Sequence, residues 1–182
     1  MDHDEQSKAS ELLRMWQQVL DPRHVCGPVL DLACGDGRNG LFVARLGLDV
    51  VCCDRSRSAL RRARNEARAQ NARIRLWWTD LEATIRAPLP QETFGAVLVF
   101  RYLHRPLIPE IRGTVRPGGY VFYETFTVDQ PKFGPPCNPD HLLKPGELAD
   151  FFADWKILYR FEGELADPYR AMARILARKP KA

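Results

Sequence analysis

The stretch DLACGDGRNG, residues 31–40, closes the apolar run PVLDLA (28–33) and opens a short helical pattern, so the reading of its glycines decides the fold. Gly35, Gly37 and Gly40 form a literal G-x-G-x-x-G. That pattern alone is uninformative, because a tight strand-to-helix turn needs glycine whether or not a ligand sits there. In a dinucleotide-binding turn the first glycine follows the strand directly and the helix end receives a pyrophosphate. Here Asp31 stands four residues before Gly35, with Ala33 at a small-residue position between them, so the stretch is better written D-x-A-x-G-x-G. A carboxylate aimed at such a loop repels pyrophosphate and suits a ligand with an ammonium or sulfonium head.

Working outward, residues 38–46 predict a short helix closed by Gly47, and LDVVCCD (48–54) a second buried strand. Ser56 caps a helix over 57–71, whose Ala59, Leu60, Ala63 and Ala67 form a narrow apolar stripe and leave the arginines on the solvent side. Alternation over 73–78 predicts a third strand with Ile74, Leu76 and Trp78 on one face. FGAVLVF (94–100) reads as a fourth, central strand, 106–115 as a helix, and Pro117-Gly118-Gly119 as the turn into a fifth strand, YVFYETF (120–126). This alternation calls for a parallel sheet with helices on both faces. Upstream, Leu12, Leu13, Trp16, Val19 and Leu20 predict a helix over 5–20, stopped by Asp21-Pro22. Downstream, residues 128–145 hold five prolines, the mark of a lid or binding loop. A short helix near 146–153 then precedes WKILYRF (155–161) and AMARILAR (171–178), strands joined without a helix and therefore antiparallel.

A chain of 182 residues with 45% hydrophobic and 27% charged side chains is expected to be one soluble domain, residues 1–182. No apolar run approaches the ~20 residues that span a bilayer, and MDHDEQSKASELL lacks the basic and apolar segments of a signal peptide, so a membrane and secretion are not expected. The five cysteines include no C-x-x-C pair, which argues against a zinc site and a disulfide framework and fits a reducing cytoplasm; no metal is expected. The net charge of +4 permits nucleic-acid contact without demanding it, although residues 55–75 hold eight arginines and only one acid, Glu66.

S-adenosylmethionine is a cationic nucleoside without phosphate, and Asp54 at the end of the second strand stands where an acid binds ribose hydroxyls. With these features in place, the chain resembles the class I S-adenosylmethionine-dependent methyltransferases. VLDLACGDGRN is similar to their glycine-rich first motif, CCD to the acidic end of strand two, and WTDLE (78–82) to the loop whose Asp meets the adenine amino group. FGAVLVF, the RPGGY turn and the terminal hairpin resemble the later motifs, over roughly residues 25–180. GRN, NPDHLLKPGEL and YETF look most like the small tellurite-resistance-type branch. The resemblance implies an α/β, three-layer Rossmann-like fold with a seven-stranded, mostly parallel sheet and an antiparallel C-terminal strand. The N-terminal residues 1–24 are expected to cover the site and the proline-rich stretch within 126–145 to form a lid-like loop. By the same resemblance Asp31, Ala33, Gly35 and Gly37 line the methionine and ribose side, Asp54 takes the ribose hydroxyls and Arg55 lies along the adenine. Asp80 and Leu81 then face the base, and Phe100 and Arg101 the methionine moiety. The cofactor would be S-adenosyl-L-methionine and the product S-adenosyl-L-homocysteine.

Methyl transfer from a sulfonium is an in-line displacement that alignment and desolvation accelerate, so a general base is optional. Candidates for acceptor chemistry lie in loops at the carboxyl ends of the strands: Arg101, Tyr102 and His104 after strand four, Glu124 on strand five, and His141 in the proline-rich segment. Glu124 equally suits an ion pair with an arginine such as Arg101. A lid this small favours a small-molecule acceptor; the arginine-rich helix supports RNA or another macromolecule as the alternative. Weaker alternatives are an NAD-dependent oxidoreductase and a non-catalytic adenosylmethionine-binding protein. The chain is expected to act as a monomer or homodimer.

Overall fold

All seven residues of FGAVLVF are buried, because this strand has a neighbour on each side and side-chain layers above and below it. The computed structural model describes residues 9–181. Its seven strands are β1 (Val29–Leu32), β2 (Val50–Asp54), β3 (Ile74–Trp78), β4 (Phe94–Phe100), β5 (Val115–Phe126), β6 (Lys156–Ala166) and β7 (Tyr169–Arg178). They lie in the order β3-β2-β1-β4-β5-β7-β6. β1 to β5 are mutually parallel and β7 is antiparallel to both neighbours, as the resemblance implied.

The helices split between the two faces. On one face α1 (Glu11–Met15) and α2 (Arg38–Arg45) cover a core that includes Leu12, Leu13, Val43, Leu98, Phe122 and Leu176. On the other, α4 (Ile108–Thr114) and α5 (Glu147–Asp150) cover Leu30, Val97, Ile111, Leu148 and Phe152. Helix α3 (Arg57–Ala69) turns Ala59, Leu60, Ala63 and Ala67 inward, the stripe its sequence spacing predicts. Its Ser56 cap accepts a hydrogen bond from the Ala59 amide at 3.2 Å.

The structure departs from the sequence expectation at four places. The N-terminal helix is shorter: among the described residues it is α1 plus a 3-10 turn at Gln17–Val19, and residues 5–8 of the expected helix lie outside the described residues. β3 is a sheet edge, so Ile74, Leu76 and Trp78 do not share a buried face; Leu76 and Trp78 are 37% and 54% exposed. β5 begins five residues early, pairing Val115 with Phe94 before the register jumps to Ala96 opposite Tyr120 across the Pro117-Gly118-Gly119 turn. The terminal hairpin is longer at the turn end of both strands, with Ala166 opposite Tyr169. No helix forms between β3 and β4. That connection is fastened to α4 by Arg86, whose guanidinium donates to both Glu110 oxygens at 2.7 and 2.9 Å.

Candidate active site

Between β1 and α2 the backbone turns through positive φ at Ala33 (53°), Gly35 (57°) and Gly37 (79°). The glycines answer separate demands. A Cβ on Gly37 would lie 2.8 Å from Ala63 Cβ, and one on Gly40 would lie 2.6 Å from Cys52 Sγ and 2.9 Å from Asp31 Oδ2, so both allow α2 to seat on its neighbours. Gly35 is different: nothing lies within 4 Å of the position of its Cβ. Ala33 keeps its positive φ with a side chain, a strained geometry that the surrounding structure must hold.

Asp54 does much of that holding. Its Oδ2 accepts from the Gly35 amide at 2.8 Å and its Oδ1 from the Ser56 amide at 2.7 Å. The Cys34 amide donates to the Cys53 carbonyl at 2.9 Å, so the loop after β1 and the turn after β2 form one bonded unit. Asp31 lies behind this unit. It is 1% exposed, its Oδ2 accepts from the Gly40 amide at 2.8 Å, and burial raises its pKa to about 7 against the opposing pull of that amide and of Arg38.

In front of the loop opens a cavity of about 390 Å³. One end is formed by Ala33, Asp54, Arg55, Thr79, Asp80, Leu81 and Glu82. The other is formed by Arg101, Tyr102, Leu103, Thr125, Phe126, Pro136 and His141. Asp54, Asp80 and Glu82 make the first end acidic, whereas Arg101 and His141 supply the far end with a cation and an imidazole. Asp80 Oδ1 accepts from the Glu82 amide at 3.0 Å, shaping the turn after β3. Arg101, at the end of β4, has φ 56° and donates its amide to the Glu124 carbonyl at 2.8 Å. The Tyr102 hydroxyl is buried close to Glu82; burial first, and then the negative charge of Glu82, push its pKa up.

The proline-rich segment forms the outer wall and is pinned at both ends. Arg105 pairs bidentately with Glu147 at 2.6 and 2.9 Å and donates to the carbonyls of Asp140 and Leu142 at 2.9 and 2.8 Å. Buried Gln130 accepts from the Ala171 amide at 2.9 Å and donates to the Gly134 and Pro135 carbonyls. Thr127 and Leu143 add a bridge beside the end of β5.

The structure thus brings six of the ten expected cofactor residues to the cavity: Ala33, Asp54, Arg55, Asp80, Leu81 and Arg101. Gly35 borders open space, Gly37 caps α2, Asp31 is enclosed, and Phe100 packs in the core between sheet and α1. Of the acceptor-side candidates, Arg101, Tyr102 and His141 line the cavity. His104 instead precedes a 3-10 turn outside it, and Glu124 is buried against Arg174, 2.7 Å from its Nε, and accepts from Ser10 Oγ at 3.1 Å. The ion partner of Glu124 therefore comes from β7. Among the described residues none of 9–24 lines the cavity; Trp16 packs at a tilt of 48° against Tyr159 of β6, with centroids 5.9 Å apart. Thr125, at the end of the YETF strand, and Thr79, Glu82, Leu103, Phe126 and Pro136 complete the lining; the last five are not singled out as site residues by the sequence. The motif WTDLE brackets Thr79 and Glu82, but nothing local distinguishes Phe126 or Pro136. Among the described residues no group of three or more His, Cys, Asp or Glu could hold a metal, and no helix is long and apolar enough to cross a membrane.

Comparison with known proteins agrees with this fold. Residues 29–119, half of the chain, match the model of a methyltransferase domain. Hemagglutinin 1 of Eikenella corrodens is 32% identical over 71% of this chain and 44% of its own length. The probable S-adenosyl-L-methionine-dependent methyltransferase TehB of Haemophilus influenzae is 28% identical over 84% of this chain and 54% of its own. The crystal structure of TehB from that organism superposes with a TM-score of 0.68 at 26% identity, covering 90% of this chain and 62% of the other. The chain spans about half the length of the curated relatives it matches.

Proposed function

The chain belongs to the methyltransferase-domain family, and from that membership we propose that it moves a methyl group from S-adenosyl-L-methionine to a small-molecule acceptor. The observation that carries this reading is the continuity of one cavity, from the acids after β2 and β3 to Arg101, Thr125 and His141 at the ends of β4, β5 and the wall. Its volume lies within the range of small-ligand sites. The residues present fit the nucleoside. Each Asp54 oxygen accepts one backbone hydrogen bond and keeps a lone pair for a ribose hydroxyl, and no phosphate has to be placed among Asp54, Asp80 and Glu82. Leu81 offers an apolar surface for a base, and Gly35 leaves its side of the loop open.

When bound, the cofactor supplies a methyl group already activated on a positively charged sulfur. The chain's own contribution is alignment and exclusion of water. The bonded unit of Asp54, Gly35 and Ser56 fixes one end of the cavity, and the Arg105 clamp keeps the wall shut over the other. Tyr102 is a phenol at neutral pH even at the ordinary tyrosine pKa, and burial pushes that value further up, so its hydroxyl has a proton to donate. At the far end of the cavity His141 can accept a proton from a neutral acceptor through a ring nitrogen. A thiolate or similar anion would require no such transfer, and Arg101 would then hold its charge.

The test is incubation of the protein with S-adenosylmethionine labelled in the methyl group and a fractionated extract. Label should enter a low-molecular-mass fraction. Transfer to RNA or protein alone would overturn the small-acceptor assignment, and calorimetry showing no heat with either the cofactor or S-adenosylhomocysteine would overturn the activity itself.

A further inference from the structure

The positive charge of the chain is concentrated in one place. Residues 55–75 hold eight arginines and one acid, while the other 161 residues hold 19 basic and 22 acidic side chains, a net charge of −3. In the structure this segment is the outer flank of the sheet, formed by α3 and the edge strand β3. Arg57, Arg61, Arg64 and Arg68 follow one another at intervals of four, three and four residues. At 100° per residue they form a single exposed stripe about 16 Å long. Arg73 and Arg75 stand exposed beside it. At the stripe's N-terminal end the 54% exposed Trp78 ring lies 3.9 Å under the Arg57 guanidinium and donates its Nε1 hydrogen to the Arg55 carbonyl at 2.9 Å.

These arginines differ from the ones that tie the fold together through ion pairs. Arg86, Arg105, Arg112 and Arg174 each pair with a carboxylate, whereas among the described residues none of the eight on this flank does. Unneutralised guanidinium groups in a row raise the local potential and attract a polyanion. We propose that this flank binds the backbone of single-stranded nucleic acid, with a base stacked on Trp78. The guanidinium fork matches phosphate oxygens in pairs, so each of the four arginines of the stripe can take one phosphate of a strand laid along it. Base stacking on an exposed aromatic ring is the usual complement of such a track. A lipid surface fits less well, because the apolar stripe of α3 is buried against the sheet, its exposed face bears Ser58, Asn65, Glu66 and arginine, and the flank offers only Leu76 and Trp78 of β3 to an acyl layer. Arg101 and Thr125, at the far end of the cavity, stand three and four strands from β3, about 14–19 Å away at the usual strand spacing. The docked strand therefore lies beside the cavity, and the proposal stands independently of methyl transfer.

The test is fluorescence anisotropy of a labelled 15-nucleotide single-stranded RNA of mixed sequence, titrated with the full chain between 50 and 300 mM NaCl. Four phosphate contacts predict a slope near −3 in log K against log salt, at about −0.7 per contact. The variant Arg61→Gln/Arg64→Gln/Arg68→Gln should bind at least tenfold more weakly at 100 mM salt with a slope near −1. The charge-matched variant Arg14→Gln/Lys156→Gln/Lys181→Gln, altered at exposed sites off the stripe, should bind like the parent. Circular dichroism melting shows whether both variants fold. Absence of binding at 100 μM protein in 50 mM salt, or equal loss in both variants, overturns the proposal. So does stripe-dependent binding to phosphatidylserine vesicles that RNA does not compete away.

Discussion

Replacing Asp31 by Asn should change the pH dependence of stability in a direction the structure fixes. Asp31 is 1% exposed and its pKa rises from 3.8 in the unfolded chain to about 7 in the fold, chiefly because burial penalises the charged form. Between those two values the unfolded state has released this proton and the folded state has kept it. Stability therefore falls as pH rises from about 4 to about 7. A shift of about three units at about 1.4 kcal/mol each makes the loss about 4 kcal/mol. Asn keeps an oxygen for the Gly40 amide and cannot ionise, so whatever constant cost it carries cancels when pH values are compared. Unfolding in urea at pH 4, 5, 6, 7 and 8 measures the gap between variant and parent. It should move by about 4 kcal/mol in favour of Asp31→Asn between the extremes, with most of the movement below pH 7. A gap that changes by less than 1 kcal/mol would mean that the carboxyl is ionised in the fold near its ordinary pKa, and the account of the loop's buried support fails.

Three further outcomes follow from the same contacts. Gly40→Ala places a Cβ 2.6 Å from Cys52 Sγ and should destabilise by about 1–3 kcal/mol despite the better helix propensity of Ala; adding Cys52→Ala should recover part of the loss, and strictly additive effects in a double-mutant cycle would refute the contact. Arg105→Ala strips two carbonyls and Glu147 of their donor, costing about 2–3 kcal/mol locally, and should speed proteolytic cleavage within 131–141 at least tenfold; an unchanged cleavage rate would show that the wall does not depend on this clamp. Asp54→Ala should weaken binding of S-adenosylmethionine by about 1–3 kcal/mol in calorimetry, and an unaltered Kd would remove Asp54 from the ligand site.

The sheet was legible because its signals are local. FGAVLVF is apolar over the full length of β4, and the stripe Ala59, Leu60, Ala63 and Ala67 specifies which face of α3 turns inward. Where the reading failed, a neighbour decided the outcome. Leu76 and Trp78 alternate as half-buried residues should, but whether a strand lies at a sheet edge is set by the order of the other strands. Glu124 has the same limitation, since its ion partner Arg174 is 50 residues away and only the antiparallel pairing of β5 with β7 brings them opposite. Asp31 is the most instructive position. Its spacing from Gly35 pointed to a cationic ligand, yet in the fold it faces the Gly40 amide behind the loop, and Asp54, Asp80 and Glu82 front the cavity. Only the closeness of Gly40 to both Asp31 and Cys52 explains why the acid is enclosed, and no spacing in the sequence reports that distance.

Strand order arranges the chemistry of the cavity. The sheet grows in opposite directions from β1 and β4, and the carboxyl ends on either side of that point leave a crevice between them. Toward β3 the crevice receives Asp54 and Asp80; toward β5 it receives Arg101 and Thr125. Ala33 and Arg101, non-glycine residues held at positive φ, terminate the two strands that flank the point of reversal. Such conformations cost on the order of 1–3 kcal/mol each and persist only where neighbours enforce them. Here the neighbours are identifiable: the loop that begins at Ala33 is tied to Asp54 through the Gly35 amide, and the Arg101 amide is tied to the Glu124 carbonyl of β5. Both constraints aim backbone and side chains into the same space, so two of the four non-glycine residues at positive φ among the described residues, the others being Asn71 and Glu92, border the cavity where a polarised ligand would bridge the acidic and basic ends.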